Sequence, residues 1–299
     1  MKAVVLRRPG KADVLEYVEL EKPVPRNDEV LIRIRATTVT RGDVALRRIP
    51  TVMWPLLRLG MGLQRKRILG HEFAGEVEAL GRGVRTFLPG EAVFGTTTGL
   101  AVGANAEFVC VTNDVPLAAK PAAVTFEEAA AVPVGGMTAL WLLRKAGLRP
   151  EMRVLIYGAS GSVGSFAVQL AAHAGAEVTG VCSAVNVDLV RSLGAAKVID
   201  YTRDDYAASG QRYDVIFDAV GKTSRSHAAR ALRPGATFVS VRTAARERRD
   251  DLVVLRDLLE RGAIRPVIDR RFGFEQIREA HRYVEAGHKK GNVVITVSA

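Results

Sequence analysis

Cysteine is scarce in this sequence. The 299 residues contain two, Cys110 and Cys182, far apart and each inside an apolar, strand-like run. That excludes a disulfide scaffold and suits buried free thiols in a reducing compartment. Long apolar runs are missing as well: none approaches the roughly 20 residues of a membrane-spanning helix. The first residues, MKAVVLRRPG, lack the long apolar core and small-residue cleavage site of a secretory signal, so a cytoplasmic location is expected. There is no internal repeat, low-complexity tract or long linker. What remains is ordinary for a globular protein, with 48% hydrophobic and 25% charged residues, and the length allows two domains with separate cores.

Acidic residues are in deficit: 43 Lys and Arg against 32 Asp and Glu give a net charge of +11. The excess sits in short clusters, RRIP (47–50), QRKR (64–67), RERR (246–249), DRR (269–271) and HKK (288–290). Basic surfaces attract phosphates, nucleic acid or anionic lipid. These clusters are scattered, with no aromatic interleaving and no nucleic-acid motif, so a solvated basic surface is expected rather than a nucleic-acid partner.

From Lys2 to about Val115 the text is strand-like and punctuated by Gly and Pro (KAVVL, EVLIRIRATTV, FAGEVEAL, AEFVCV), which argues for a β-barrel or sandwich. The stretch 50–67, rich in Met, Leu and Trp, interrupts it and reads as a loop or short helix, beside a pocket or latched on the barrel. Residues 120–147 read as two helices broken near Pro133 and Gly135–Gly136. Then the texture changes. RVLIYG (153–158), EVTGVC (177–182), KVIDY (197–201), YDVIFDAV (213–220) and TFVSV (237–241) alternate with helices at 162–175, about 186–193 and 224–232. That rhythm predicts a parallel, doubly wound sheet. A last strand, helix (274–286) and strand NVVITV (292–297) leave the rhythm and are expected to complete the first domain.

YGASGSVG (157–164) follows an apolar strand and opens a helix, the setting a dinucleotide-binding turn requires. Gly158 serves the tight turn, Gly161 allows backbone to approach a pyrophosphate, and Gly164 lets helix and strand pack. The helix starting near Ser162 offers N–H groups and its positive end to phosphates. Ser160, Ser162 and Val163 belong to the same turn. An NAD site ends its second strand in a carboxylate that holds the ribose hydroxyls. Here that strand ends GVCSAVN (180–186), with Ser183 and Asn186 and no carboxylate, leaving room for a 2′-phosphate, so NADPH is the expected cofactor.

LGHEFAG (69–75) raises the question of a metal, because a His-Glu pair between glycines is one way to present a zinc ligand. With GHEFAGEVEALGRGVRTFLPGEAVFG (70–95), AAAVPVGGMTALWLL (129–143), the glycine turn, LGAAKVIDYT (193–202) and GHKKGNVVITV (287–297), the chain resembles the medium-chain dehydrogenase/reductase superfamily, and within it the zinc-independent quinone oxidoreductase (zeta-crystallin-like) branch. The resemblance spans nearly the whole chain. It implies an α/β fold: a GroES-like β-barrel catalytic domain over 1–119 and 266–299, and a Rossmann doubly wound parallel-sheet domain over 120–265. It also implies that Thr40, Asp43 and Thr138 shape the nicotinamide pocket, with Tyr201, Val220, Gly221 and Asn292 among the cofactor contacts. A catalytic zinc needs about three protein ligands. The family's ligand cysteine is replaced by Thr40, and 133–140 holds no Cys, His or carboxylate, so no metal is expected.

Without a Lewis acid the expected chemistry is hydride transfer from NADPH to a quinone or α,β-unsaturated carbonyl. No residue stands out as the acid, and water is the expected proton source. After TFVSV the chain passes almost directly into a helix, so the last Rossmann strand is expected to be lost or shortened, which puts the homodimer common among relatives in doubt. Two other readings stay open: a cofactor-bound protein contacting RNA through its basic surface, and a zinc alcohol dehydrogenase.

Overall fold

The computed structural model describes residues 1–49, 51–53, 67–97, 102–243 and 246–297. The chain divides into two compact units, Met1–Pro133 with Ile268–Ala299, and Val134–Val267.

In the first unit period-2 alternation builds the sheets. Its strands are β1 (Lys2–Leu6), β2 (Leu15–Glu19), β3 (Glu29–Thr38), β4 (Arg67–Ile68), β5 (Glu72–Leu80), β6 (Ala92–Thr96), β7 (Phe108–Thr112) and β8 (Leu117–Ala119). Along β3, Ile32, Ile34 and Ala36 are buried, while Arg33 and Arg35 point the other way and pair with Glu78 and Glu76 of β5. Two short helices, α1 (Arg41–Arg47) and α2 (Phe126–Ala130), each open with a capping box, Thr40 with Asp43 and Thr125 with Glu128. In both, a hydroxyl and a carboxylate satisfy N–H groups that the helix leaves unpaired.

The second unit begins inside α3 (Pro133–Lys145), then alternates β9 (Arg153–Tyr157), α4 (Ser162–His173), β10 (Glu177–Cys182), α5 (Val187–Ser192), β11 (Lys197–Asp200), β12 (Tyr213–Asp218), α6 (Arg225–Ala229), β13 (Leu232–Ser240) and α7 (Arg249–Glu260). The strands are parallel, in the order β11-β10-β9-β12-β13. The glycine turn leaves β9 where the order reverses, with β10 on one side and β12 on the other, the place where open α/β sheets bind ligands. Among the described residues β13 ends the sheet, as the short passage into α7 leads one to expect.

The chain then returns through β14 (Ile268–Gly273), α8 (Ile277–Ala286) and β15 (Asn292–Thr296). β15 pairs antiparallel with β3, so the last strand completes the first unit's larger sheet.

Several sequence readings shift. The boundary expected at 119/120 falls at 133/134, because α2 packs on the barrel, where Glu127 bonds Arg271 and Thr296. Gly135 and Gly136 lie inside α3 rather than breaking it; Gly135 lets α3 approach Ser162 and Phe166 of α4. The helix expected over 224–232 is the shorter α6, and β13 already begins at Leu232. Cys182 is buried but Cys110 is only half-buried; burial raises both thiols to about 11, so neither is a thiolate at neutral pH. The basic clusters are not simply solvated: Arg47 is fully buried against Glu285 and the Gly10 carbonyl, and Arg271 is held by Glu127. The stretch expected at 50–67 lies outside the described residues apart from a 3₁₀ turn, Thr51–Met53, and β4.

Candidate functional site

The glycine turn is built as its spacing predicts. Gly158 has φ +82, a left-handed conformation that favours glycine, and a Cβ there would lie 2.6 Å from Val220. A Cβ on Gly164 would lie 2.1 Å from the Gly158 carbonyl, so α4 could not pack on the turn. Gly161 is different, since a Cβ there would meet only the Gly158 carbonyl at 3.5 Å. The protein itself does not demand glycine at 161; an added side chain would instead fill the space in front of α4. No side chain caps that helix. An open cradle before an uncapped helix N-terminus fits a pyrophosphate.

Beside the turn, the Asn186 Nδ2 group donates to the hydroxyls of Ser160 at 3.3 Å and Ser183 at 3.2 Å. The Asn186 Oδ1 atom is buried and has no protein partner. An orphaned acceptor next to two oriented hydroxyls fits a ribose and its phosphate. Tyr201 is exposed, with its ring 6.4 Å from that of Tyr157. Ser162, Val163 and Thr138 are half-buried, the last on α3. Val220 and Gly221 sit on a turn shaped by Asp218, a buried residue the sequence reading missed. Its Oδ1 accepts the N–H groups of Val220, Gly221 and Lys222 at 3.2, 2.9 and 3.3 Å, and its Oδ2 accepts the Ser240 hydroxyl at 3.0 Å. Arg242 donates to the Gly221 carbonyl at 2.8 Å.

A carboxylate does reach the end of β10: it comes from Asp200 of the neighbouring strand, in register with Cys182. Thr202 and the Ala184 backbone N–H hold Asp200 below the usual carboxylate range.

The first unit holds a second cluster. Asp43 is fully buried on α1. Its Oδ2 accepts the N–H and hydroxyl of Thr40 at 2.8 and 2.7 Å, and its Oδ1 accepts the Gly70 N–H at 3.1 Å and lies 2.9 Å from His71 Nδ1. Burial alone would raise Asp43, but the hydrogen bond and charge of His71, with Thr40 and the more distant His281, outweigh it and bring the group down to about 2. Gly70 has φ +92, and a Cβ there would strike Asn105. Glu72 is buried and accepts from Thr38. Lys289 is lowered to about 8, first by burial. Asn292 is buried at the start of β15.

The chain is similar to known proteins over nearly its whole length. Residues 26–134 match the family model described as alcohol dehydrogenase GroES-like domain, and 162–285 the model described as zinc-binding dehydrogenase. The mouse protein named NAD(P)H oxidoreductase RTN4IP1, mitochondrial, is 31% identical over 99% of this chain and 89% of its own length. The chain belongs to the medium-chain dehydrogenase/reductase superfamily, in its quinone oxidoreductase branch. The Arabidopsis thaliana protein named NADPH-dependent alkenal/one oxidoreductase, chloroplastic, is 30% identical over 99% of this chain and 79% of its own. The solved quinone oxidoreductase of Coxiella burnetii superposes with a TM-score of 0.91 at 28% identity, covering 100% of this chain and 99% of that one.

Within this medium-chain dehydrogenase/reductase the donor set does not fit a catalytic zinc. The Thr40 hydroxyl is engaged in the capping box, donating to Asp43 and accepting its N–H, and His71 by itself cannot supply the roughly three protein ligands of a catalytic zinc. No described residues form a group of three His, Cys, Asp or Glu able to hold a metal, and the undescribed ones include none of these types. The question raised by LGHEFAG thus resolves into an Asp-His pair. The sequence clue was the T-x-x-D capping pattern of Thr40 and Asp43, which fixes where the carboxylate points; that His71 meets it follows only from how β5 is seated.

Proposed function

We propose that the chain is an NADPH-dependent reductase that delivers hydride to a quinone or an α,β-unsaturated carbonyl. The observation that carries this reading is the glycine turn at the sheet's switch point, with its open cradle at Gly161 and the orphaned Asn186 acceptor beside Ser160 and Ser183. Branch membership and the names of the relatives support the substrate class. The turn and α4 would hold the pyrophosphate, while Asn186, Ser160, Ser183 and Tyr201 would hold the adenosine end. When bound, the nicotinamide supplies the hydride. The chain's own part is to align the partners, worth several kcal/mol when reacting atoms are held in register, and to keep water away. Thr40, Thr138 and Asn292 are read as pocket-shaping residues in this scheme. A cytoplasmic enzyme is the accompanying reading; among the described residues no helix is long and apolar enough to cross a membrane.

The test is oxidation of NADPH and NADH by chelator-treated protein against a benzoquinone, a naphthoquinone, an enone and a simple aldehyde. Turnover of quinone or enone, faster with NADPH, is expected. Turnover that needs added zinc, or that favours simple alcohols and aldehydes, would overturn the reading.

A further inference from the structure

In the reductase reading the pyrophosphate of NADPH goes to the glycine turn and α4, and the 2′-phosphate to Asn186 and Ser183. A dinucleotide lies across the point where the strand order reverses. With the adenosine end on the β10 side, the nicotinamide end falls over the carboxyl ends of β12 and β13. Two cations stand there without a task, Lys222 and Arg242. We propose that Arg242, seconded by Lys222, is a specificity-determining residue that binds a carboxylate on the substrate, so that the preferred enones and quinones are acidic ones, an inference resting on the reductase reading above.

Arg242 is pre-organised for the part. Its backbone N–H donates to the Ser240 hydroxyl at 3.3 Å and its Nε to the Gly221 carbonyl at 2.8 Å, while Ser240 in turn donates to Asp218 at 3.0 Å. The stem lies on Gly221, whose φ is +72 and where a Cβ would come within 3.3 Å of Arg242 Cγ. One edge of the guanidinium is thereby fixed, and the two Nη groups keep the fork that matches a carboxylate. Gly221 follows Val220, the residue that a Cβ on Gly158 would strike, so Arg242 belongs to the same end of the sheet as the glycine turn.

Charge decides which partner the fork takes. Arg242 and Lys222 are exposed, and among the described residues neither forms an ion pair. Asp218, the carboxylate of this turn, is fully buried and spent on three backbone N–H groups and the Ser240 hydroxyl. The nicotinamide offers no anion, being neutral when reduced and cationic when oxidised. Cations beside it disfavour the oxidised ring unless an anion is supplied, and the molecule that must stand against the ring is the substrate. The carboxylate is a handle only, and no bond to it forms or breaks in the reduction.

The full chain and its Arg242→Gln, Arg242→Lys and Lys222→Gln variants are to be assayed with NADPH and a matched pair, a vinyl ketone carrying a carboxylate on a saturated tether and its methyl ester. The Kd for NADPH is read by fluorescence titration. The wild type is expected to favour the acid in kcat/KM by about tenfold, the lower end for a charged hydrogen bond, mainly through KM, and to lose that preference as salt rises. Arg242→Gln is expected to abolish the preference, Arg242→Lys to keep part of it, and Lys222→Gln to lower it about twofold. The Lys222 variant and the salt series carry the test should Arg242→Gln not fold. Equal kcat/KM for acid and ester in the wild type, or a ratio that Arg242→Gln leaves unchanged, would overturn the role of Arg242 while the reductase reading stands. A weaker Kd for NADPH in Arg242→Gln, with acid and ester falling together, would assign the cation to the cofactor and overturn that role as well. Wild-type protein that turns over neither the ketones nor a benzoquinone would overturn the reductase reading, and the substrate role with it.

Discussion

Gly164 and Asp200 constrain the glycine turn and its neighbouring loop in different ways. At Gly164 the constraint is steric: the Cβ of an alanine would sit 2.1 Å from the Gly158 carbonyl. Gly164→Ala is therefore expected to destabilise the chain by about 1–3 kcal/mol, the usual scale of overpacking, and to abolish NADPH binding, read by thermal denaturation and fluorescence titration. At Asp200 the constraint is electrostatic. Its carboxylate reaches the Ala184 N–H, at the loop where a 2′-phosphate would lie, so it tempers a preference for NADPH over NADH. Asp200→Asn should raise the ratio of kcat/KM for NADPH over NADH by roughly threefold to tenfold, as like-charge repulsion is removed; an unchanged ratio would place the phosphate elsewhere. The glycines were legible in the sequence because their constraint is local to one turn. Asp200 was not, because only the register of β10 against β11 brings it to the end of β10.

At the scale of elements, α1 is a short helix whose start doubles as part of the site. Thr40 caps it and also supplies two of Asp43's four hydrogen bonds. Thr40→Ala should cost about 1 kcal/mol as a lost cap, seen as a lower Tm, and Thr40→Ser should restore it. The T-x-x-D pattern is the local signal for this helix start, and the sequence reading passed over it. The α8 helix was readable, but not that it would carry a histidine with both ring nitrogens unpartnered in the core. The other element of consequence is β13, which ends the sheet and carries Pro234 and Gly235 near its start. Proline removes a ladder donor, and edges built this way resist pairing with another chain. Size exclusion with light scattering is expected to give a monomer; a stable dimer formed along β13 would contradict this.

For the whole molecule, stability should fall with acid in two stages. Burial, working against the field of Asp43, lowers His281 from 6.5 to about 4. Between those values the unfolded chain binds a proton that the folded chain refuses, so stability drops as pH falls from about 6.5 to 4, by up to about 3 kcal/mol, and levels off below. Asp43 runs from 3.8 unfolded to about 2 folded, so its contribution is complete above 3.8 and is lost as pH falls towards 2. His281→Leu should flatten the first stage and leave the second, measured by denaturant unfolding across pH.

The sequence by itself determined the order of the main elements, the two domain types and the glycine turn, because alternation and glycine spacing act over a few residues. Tertiary structure alone decided which charges meet. His71 and Asp43 are 28 positions apart, Arg47 and Glu285 are 238 apart, and Asp200 serves a strand other than its own. Electrostatic interaction depends on distance and on exclusion of water, and both are properties of packed elements rather than of neighbours in the chain.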